Sequence, residues 1–468
     1  MKRILICASA LAIAATQAQA GGQLDTFNFT GETNFIPGFE DVEIVPIFWD
    51  DRCTSVNYTV DDIPAIGVGG SLIPASVWAG EMQVAFDQWN DIPTSYIEMN
   101  VVGAPVTLGN GVRRFDFINE LTFETPAGSG FLASSPSVSL QAGATFVAGD
   151  DIDGDGDSDV FDTGATSVST CHDFDSDGDI EFPAGDYAAG TILDNDVQYN
   201  NLLAPAIVWE LTPTSTLAGE PQRRTDIQTV AVHEFGHSHG LAHSFINQIS
   251  RVDGTASTMF PFIDIDDRFS EEGGRTLHTD DIAWSSFVYQ EGRTATGPAA
   301  IGPGDIRFSR VYRIISGSYT QGGFGVLGGN ISATQVGANG RTVVSAYAGK
   351  ARAFSPDGSA VLVGDLTNSI ISDQYVLPVP QGNYNLALQA LDGDPAATGN
   401  ISITAQIGGI LGQHGYPEEF RSSPSLESAL EDNPSQSVPV NARCGNLPDI
   451  NIVTNTDLTL RNAGAITN

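Results

Sequence analysis

Lysine is almost absent from this chain, which contains only Lys2 and Lys350, and basic residues are scarce altogether. Among 468 residues, 20 Lys and Arg face 57 Asp and Glu, which gives a formal net charge of −37 at pH 7. A surface this acidic repels phosphates, so the charge excludes a nucleic-acid partner and argues against docking on anionic lipid. We expect a protein that binds cations or works in salt.

Long apolar runs are also missing, except at the start of the chain. Met1–Arg3 is basic, residues 4–15 are apolar apart from Ser9, and Ala18-Gln19-Ala20 has the form of a cleavage signal. This order is typical of a secretory signal peptide, and a membrane anchor would need about 20 apolar residues. We therefore predict that residues 1–20 are a signal peptide, that the protein is secreted, and that no segment inserts in a membrane.

Cysteine is rare, with four residues in all. Cys7 leaves with the signal peptide, so the mature chain keeps Cys53, Cys171 and Cys444. In an oxidising compartment we expect one disulfide bond and one remaining thiol, and the sequence leaves the pairing open.

The remaining composition predicts a folded protein of more than one domain. Hydrophobic residues make up 41% of the chain, which is enough for packed cores, and single cores rarely grow beyond about 250 residues. The sequence pattern changes after Gly292. Helical spacing gives way to short segments in which apolar and polar residues alternate, separated by Gly, Asn and Asp. We predict a short N-terminal or pro-segment (21–49), a first domain (50–292), a Gly/Pro/Ala linker (293–305), an all-β sandwich (306–410) and a polar tail (411–468).

Apolar spacing predicts three helices in the first domain, over residues 76–90, 226–239 and 279–289. Ser76 is the expected N-cap of the first helix. Its expected apolar face is formed by Val77, Met82, Ala85, Phe86 and Trp89.

The second of these helices carries the pattern HExxHxxGxxH, from His233 to His243. His233 and His237 fall one turn apart on one face, where both imidazoles can bind one ion. Gly240 lets the chain leave the helix, so that His243 can turn back as a third ligand. Three His ligands leave one tetrahedral position open, which is typical of a catalytic zinc, and Glu234 is placed to act on water there.

At these residues the chain resembles the metzincin metallopeptidases, and within them the matrixin family of matrix-metalloproteinase-like enzymes, as a bacterial-type secreted member. The residue after the third His is Ser244, and matrixins also have Ser at this position. Residues 258–261 resemble the family's Met-turn, which implies that Met259 lies under the metal. The segments 85–89, 192–200 and 279–289 extend the resemblance over residues 50–292. It implies an α+β metzincin-like catalytic domain, with a twisted mixed sheet and an active-site helix. It also implies a zinc endopeptidase that acts on proteins or peptides with Glu234 as general base.

Two features depart from that family. Met259 lies further from His243 than in vertebrate relatives, so we expect an inserted loop. Of the seven His residues, only His172 lies where animal matrixins build a second, structural zinc, so we expect no such site. For His239, six residues after His233, we predict a solvent-facing side chain, with a ligand role as the alternative.

Two acidic runs within residues 151–186 have the spacing of calcium-binding loops. The first places carboxylates at loop positions 1, 3, 5, 7, 9 and 12, namely Asp151, Asp153, Asp155, Asp157, Asp159 and Asp162. The second places them at positions 1, 3, 5, 7 and 9, namely Asp173, Asp175, Asp177, Asp179 and Glu181. Carboxylates packed this closely repel one another without a cation, so we predict one or more Ca²⁺ ions, with a solvated acidic loop as the alternative.

The region around Cys444 reads Ala-Arg-Cys-Gly-Asn-Leu-Pro-Asp and is similar to the thiol switch of matrixin pro-segments. It has an inserted Leu447 and lies at the opposite end of the chain. Cys444 is therefore a possible latency thiol, although a disulfide bond with Cys53 or Cys171 is the favoured interpretation. Residues 306–408 resemble carboxypeptidase-regulatory-like β-sandwich domains.

Two rival functions remain at this point. The chain could be a catalytically silent metzincin-like binding or adhesion protein that depends on calcium, although the intact Glu234 argues against loss of activity. It could also be a structural surface protein that needs calcium and tolerates the loss of zinc. Another metzincin family is disfavoured by Ser244.

Overall fold

The structure is a computed structural model of the chain. It describes residues 25–29, 42–53, 55–108, 115–124, 132–140, 143–162, 171, 180–203, 206–212, 223–244, 257–260, 274–292, 301–321, 324–325, 329–337, 342–348, 350–354, 360–361, 369–372, 374–390, 419–422 and 433–454. The predicted signal peptide and the predicted loop between Ser244 and Met259 lie outside these ranges. Within them, no helix has the length and apolar character needed to cross a membrane.

The first half of the chain contains seventeen short strands among the described residues. They are β1 (Asp25–Phe29), β2 (Val42–Pro46), β3 (Ser55–Asp61), β4 (Ala65–Ile66), β5 (Leu72–Ile73), β6 (Glu98–Val106), β7 (Glu120–Thr122), β8 (Ala133–Ser134), β9 (Ser137–Ser139), β10 (Ala144–Phe146), β11 (Val160–Phe161), β12 (Phe182–Pro183), β13 (Gly185–Tyr187), β14 (Ile192–Asn195), β15 (Val197–Tyr199), β16 (Ile207–Glu210) and β17 (Arg223–Asp226). The helices are α1 (Ala75–Asn90), α2 (Ile227–Ser238) and α3 (Thr279–Val288), with 3₁₀ turns at Val68–Gly70 and Asn201–Leu203.

A five-stranded mixed sheet organises this half, with strand order β6-β3-β7-β15-β8. Its first four strands are parallel to their neighbours, and the edge strand β8 runs antiparallel to β15. The mixed sheet and the helices confirm the predicted α+β class. The core begins slightly before the predicted boundary at residue 50, because Ile47 and Trp49 are already buried.

Helix α1 buries one face against α2. The rings of Phe86 and Phe235 stack with centroids 3.6 Å apart, and the indole N–H of Trp89 donates to the carbonyl of Val232 (3.0 Å). Two details of the prediction are wrong here. Pro74, and not Ser76, occupies the N-cap, and Trp78 is buried where Val77 was expected, since Val77 is 44% exposed.

Helix α2 begins one residue after the predicted start, at a capping carboxylate that the sequence analysis did not name. The side chain of Asp226 accepts the N–H of Thr229 (3.0 Å), which satisfies a donor that the first helical turn leaves unpaired. Arg275 forms two bonds to the same carboxylate, at 2.6 and 2.8 Å. The start of α2 is therefore tied to the segment that leads into α3.

The second half contains the short helix α4 (Phe308–Val311), a 3₁₀ turn at Pro434–Gln436 and twelve described strands. The strands are β18 (Tyr312–Gln321), β19 (Phe324–Gly325), β20 (Gly329–Gln335), β21 (Val343–Ala348), β22 (Lys350–Phe354), β23 (Ala360–Val361), β24 (Ser369–Ser372), β25 (Gln374–Pro380), β26 (Asn383–Ala390), β27 (Glu419–Phe420), β28 (Val440–Asn441) and β29 (Ile452–Thr454). We call the described residues from 306 to 454 the C-terminal module.

The C-terminal module has two larger sheets. One has the order β19-β18-β25 with β29 beside β18, and the other has the order β21-β20-β26-β27 with β28 beside β26. Strands are present where the sequence predicts them, whereas the β-sandwich arrangement itself stays a prediction. The tail from residue 411 is less separate than expected, because β27, β28 and β29 complete these sheets. These three strands are only two or three residues long, so no alternation of apolar and polar residues could predict them from the sequence.

The two halves are not independent bodies. One cluster of buried apolar side chains includes Trp284 of α3 together with Val344 and Leu377 of the C-terminal module. The backbone N–H of Ile306 also donates to the carbonyl of Pro93 (2.6 Å). The module therefore packs directly on the domain that carries the His motif.

The disulfide bond joins Cys53 and Cys171, whose Cα atoms are 4.6 Å apart. Cys444 is an exposed free thiol. The favoured interpretation of Cys444 as a disulfide partner was therefore wrong, since both candidate partners bond to each other.

Candidate metal centre

Three imidazoles converge at the end of α2. The Nε2 atoms of His233 and His237 each lie 3.1 Å from Nε2 of His243, and the three atoms form a group that could hold one metal ion. Zinc–nitrogen distances of about 2.0–2.1 Å place two ligands of a tetrahedral site about 3.3 Å apart, so the spacing suits a single zinc ion. The structure thus brings together the three predicted ligands.

Hydrogen bonds orient two of these rings toward the common point. Nδ1 of His233 lies 2.7 Å from the carbonyl of Thr258, and Nδ1 of His237 lies 2.8 Å from the carbonyl of Leu241. A carbonyl only accepts, so each Nδ1 carries the proton and each Nε2 keeps its lone pair for a metal.

The protonation states also suit metal binding. Burial lowers the pKa of His233, and burial together with the charge of His233 lowers the pKa of His237 to about 3. Both imidazoles are therefore neutral at pH 7, which is the form that binds a metal.

Gly240 allows the turn that brings His243 back to the helix. Its φ is +74°, in the left-handed region, and a Cβ at this position would lie 2.5 Å from the carbonyl oxygen of Ile47. Both observations exclude a larger residue and confirm the predicted exit from the helix.

Met259 packs against α2 and follows Thr258, whose carbonyl bonds to His233, and its role as the Met-turn residue stays a prediction. Its side chain is 2% exposed and packs against Gly236 of α2, where a Cβ would collide with its sulfur. The carboxylate of Asp281 on α3 accepts the N–H groups of Thr258 (2.9 Å) and Met259 (3.1 Å). The carbonyl of Thr258 accepts the Nδ1–H of His233, so Asp281 helps to position the predicted zinc ligand His233 through Thr258. Sequence reasoning missed this residue, although its place in the first turn of α3 was predicted.

Glu234 occupies the position next to His233 and is 6% exposed. The pKa of the Tyr199 phenol in β15 is raised far above its usual value, mainly by burial and secondly by the negative charge of Glu234. The Tyr199 hydroxyl has no hydrogen-bond partner among the described residues. A buried carboxylate and a buried phenol therefore lie within electrostatic reach of each other.

His239 is buried, and the prediction of a solvent-facing side chain was wrong. It is 0% exposed, its Nδ1 lies 2.7 Å from the carbonyl of Phe235, and its ring stacks on Trp89 with centroids 4.7 Å apart. Burial lowers its pKa to about 4. The face of α2 opposite the ligands packs on α1 and is not solvated, which the helical spacing alone could not show.

The first acidic loop brings three of its six predicted ligands together. Carboxylate oxygens of Asp151, Asp153 and Asp159 lie within 4.8 Å of one another. Asp155, Asp157 and Asp162 are not part of this group. Asp159 is 0% exposed, and its Oδ1 has no hydrogen-bond partner among the described residues. Burial, as the largest cause, raises its pKa to about 6. A buried carboxylate oxygen of this kind fits a cation site.

The second acidic run lies outside the described residues from Asp173 to Asp179, and only Glu181 is described, where it is 3% exposed. The ends of the two runs pair in parallel, because Val160 of β11 pairs with Phe182 of β12, 22 residues further along. Both residues hold loop position 10, so equivalent positions of the two runs pair with each other, which the sequence analysis did not predict. The repeated spacing of Asp at positions 1, 3, 5 and 7 was the available signal.

Cys444 lies in the C-terminal module, just before a segment that runs beside β18. In that segment the N–H of Leu447 donates to the carbonyl of Ile314 (2.8 Å). The latency role of Cys444 stays a prediction.

Comparison with known families places this site in context. Residues 138–290 match the family model described as Matrixin, a range that contains the three histidines, Glu234, Met259 and the acidic loops. The predicted resemblance from residue 50 to 137 lies outside that match. A search of curated proteins finds no match for the chain.

Proposed function

On the premise that residues 138–290 make this chain a matrixin-like metzincin, we propose that it is a zinc-dependent endopeptidase. The observation that carries the proposal is the convergence of three Nε2 atoms, two of them on rings whose Nδ1 atoms bond to carbonyl groups. His233, His237 and His243 would hold the ion. The chemistry that zinc supplies when bound is that of a Lewis acid, which polarises a carbonyl and lowers the pKa of water.

Glu234 is the proposed general base. It lies next to His233 on α2, the helix that carries two of the three histidines. It would take a proton from the attacking water and deliver it to the departing amine. The buried position removes competing bulk water and strengthens the electrostatic effect of the carboxylate.

The proposed substrate is an extended segment of a protein chain. The sheet ends at β8, which pairs with β15 on one side only among the described residues. The hydroxyls of Ser135, just after β8, and Ser238 of α2 lie 3.0 Å apart, so this edge sits beside the metal helix. An extended peptide can add to such an edge by main-chain hydrogen bonds.

Calcium is proposed as a structural cofactor of the first acidic loop, held by Asp151, Asp153 and Asp159. The support is the buried Oδ1 of Asp159 and the close approach of the three carboxylates. Calorimetric titration with Ca²⁺ tests it. Asp159→Asn should abolish binding, whereas Asp162→Asn, outside the group of three, should weaken it less. Equal titrations of wild type and Asp159→Asn would refute the assignment.

Secretion is proposed from the predicted signal peptide and is supported by the disulfide bond between Cys53 and Cys171, since such bonds persist in oxidising compartments. Mass spectrometry of the protein from the native medium tests it. A mature chain that begins at Gly21 is the expected result, and an intact Met1 in a cell-associated protein would refute it.

The experiment that tests the peptidase proposal starts from metal-free full-length protein. Zinc is restored to one equivalent, an unfolded protein is added, and the products are sequenced by mass spectrometry. We expect cleavage at internal bonds that requires zinc and disappears in His243→Ala. Zinc binding without cleavage would favour the silent binding protein, and cleavage without zinc would refute the metal assignment.

A further inference from the structure

The first turn of α3 carries two neighbouring buried carboxylates with different partners. Asp281 holds the Met-turn, as described above, whereas Asp280 binds the C-terminal module. The carboxylate of Asp280 accepts the backbone N–H of Ser345 in β21 (2.7 Å) and the Ser345 hydroxyl (3.3 Å). One helical turn thus connects the metal centre to a separate part of the fold.

The same contact reaches the residue that follows the third His ligand. The hydroxyls of Ser244 and Ser345 lie 3.2 Å apart, and the Ser244 side chain also bonds to Asp280. The N–H of Ser244 donates to the carbonyl of Met259 (2.8 Å). Ser244 is therefore fixed on one side by the Met-turn and on the other by Asp280.

Burial makes the loss of any of these hydrogen bonds costly in free energy. Ser244 and Ser345 are 0% exposed and Asp280 is 2% exposed, so no bulk water replaces a lost partner. The indole N–H of Trp284 donates to the carbonyl of Ser345 (2.8 Å), which fixes β21 on α3 by a second bond. Both main-chain groups of Ser345 are thereby used outside its own sheet.

We propose that Asp280 is a positioning residue for the metal centre, and that the C-terminal module, through Ser345, is required to hold it in place. Asp280 fixes Ser244, and Ser244 fixes the orientation of His243, which lies next to it in the chain. The C-terminal module therefore contributes to metal binding without supplying a ligand. This inference rests on the proposed zinc site, and it assigns the module a role that the peptidase proposal does not need.

The test measures metal affinity in the full-length protein, by competition of Zn²⁺ with a chelator and by the visible spectrum of the Co²⁺ form. Asp280→Ala removes every hydrogen bond of this carboxylate. Asp280→Asn keeps an oxygen for the Ser345 N–H and adds an NH₂ that can donate to a serine hydroxyl. Partners of metal ligands typically affect affinity 10–100-fold, and since Asp280 acts through Ser244 we expect a loss of about 10-fold in Asp280→Ala and less than about 3-fold in Asp280→Asn.

The Co²⁺ spectrum should change in Asp280→Ala and stay like wild type in Asp280→Asn. Unchanged affinity in Asp280→Ala would overturn the proposal. Equal losses in both variants would also overturn it, because the negative charge and not the hydrogen bonds would then be responsible.

A milder pair of variants covers the case in which Asp280→Ala does not fold. Ser345→Ala removes only the bridging hydroxyl. Ser332→Ala removes a hydroxyl that is also buried, at the position paired with Ser345 in β20. A several-fold loss of Zn²⁺ affinity in the first and none in the second supports the proposal, whereas equal affinities overturn it. If the wild type binds no metal through its three histidines, the proposed function fails first, and the two failures are distinguishable.

Discussion

The packing of α2, the helix that carries His233 and His237, can be tested at Gly236. It lies on the face of α2 that meets the Met-turn, and a Cβ there would collide with the Met259 sulfur and approach Cζ2 of Trp89 to 3.0 Å. Met259 is 2% exposed and Trp89 is 0% exposed, so neither side chain can move into solvent. Overpacking costs about 1–3 kcal/mol and the better helix propensity of Ala returns up to about 1 kcal/mol, so the net loss in Gly236→Ala should be at most about 3 kcal/mol and centre on about 1–2 kcal/mol.

The same substitution in α1 provides the matched control. Gly80 is exposed in the helix and a Cβ there meets no atom within 4 Å, so Gly80→Ala should gain about 0.5–1 kcal/mol. Urea unfolding of the metal-free proteins measures both values. Since Met259 follows Thr258, whose carbonyl bonds to His233, Gly236→Ala should also weaken zinc binding. A Gly236→Ala protein as stable as Gly80→Ala would refute the described packing.

Other predictions concern the bonds that fix the domain. Arg275→Ala leaves the capping carboxylate of Asp226 buried without its cation, and since Arg275 is partly exposed we expect a loss of about 1–3 kcal/mol in urea unfolding; an unchanged midpoint would contradict this. Replacing Cys53 and Cys171 by Ala opens a crosslink between residues 118 apart and should cost about 2–5 kcal/mol, to be compared with Cys444→Ala, for which we expect no loss. Burial raises the pKa of Asp280 to about 7, above its ordinary value of 3.8, so this carboxyl favours the folded state at low pH and loses that contribution as pH rises from about 4 to 7. The metal-free wild type should therefore lose more stability than Asp280→Asn between pH 5 and pH 8, and parallel pH profiles would contradict the assignment.

The parts of the site that sequence could predict are local in the chain. His233, His237 and Gly240 follow from helical spacing and from the need for positive φ, and His243 follows from the turn that Gly240 permits. The start of α2 was predictable because Asp226 is a good N-cap. In each case the deciding interaction spans fewer than about ten residues, within the reach of one helical turn or one tight turn.

The parts that sequence could not predict depend on distant contacts. His239 lies at the correct helical angle to avoid the metal, but only the packing of α1 decides whether that face meets solvent. The pairing of Cys53 with Cys171 joins residues 118 apart, and cysteine spacing alone does not decide between the possible pairs. The contact between Asp280 and Ser345 joins α3 to the C-terminal module across 65 residues of sequence, and neither residue type indicates a partner by itself.

The catalytic role of Glu234 can be measured by comparing hydrolysis of an unfolded protein by wild type and by Glu234→Gln, at equal and measured zinc content. The substitution keeps the size of the side chain and replaces the proton-accepting carboxylate by a neutral amide. We expect that both proteins bind one zinc ion and that cleavage by Glu234→Gln falls by at least about 100-fold. Equal cleavage by both proteins would contradict the role of Glu234, and no cleavage by the zinc-loaded wild type would contradict the peptidase itself.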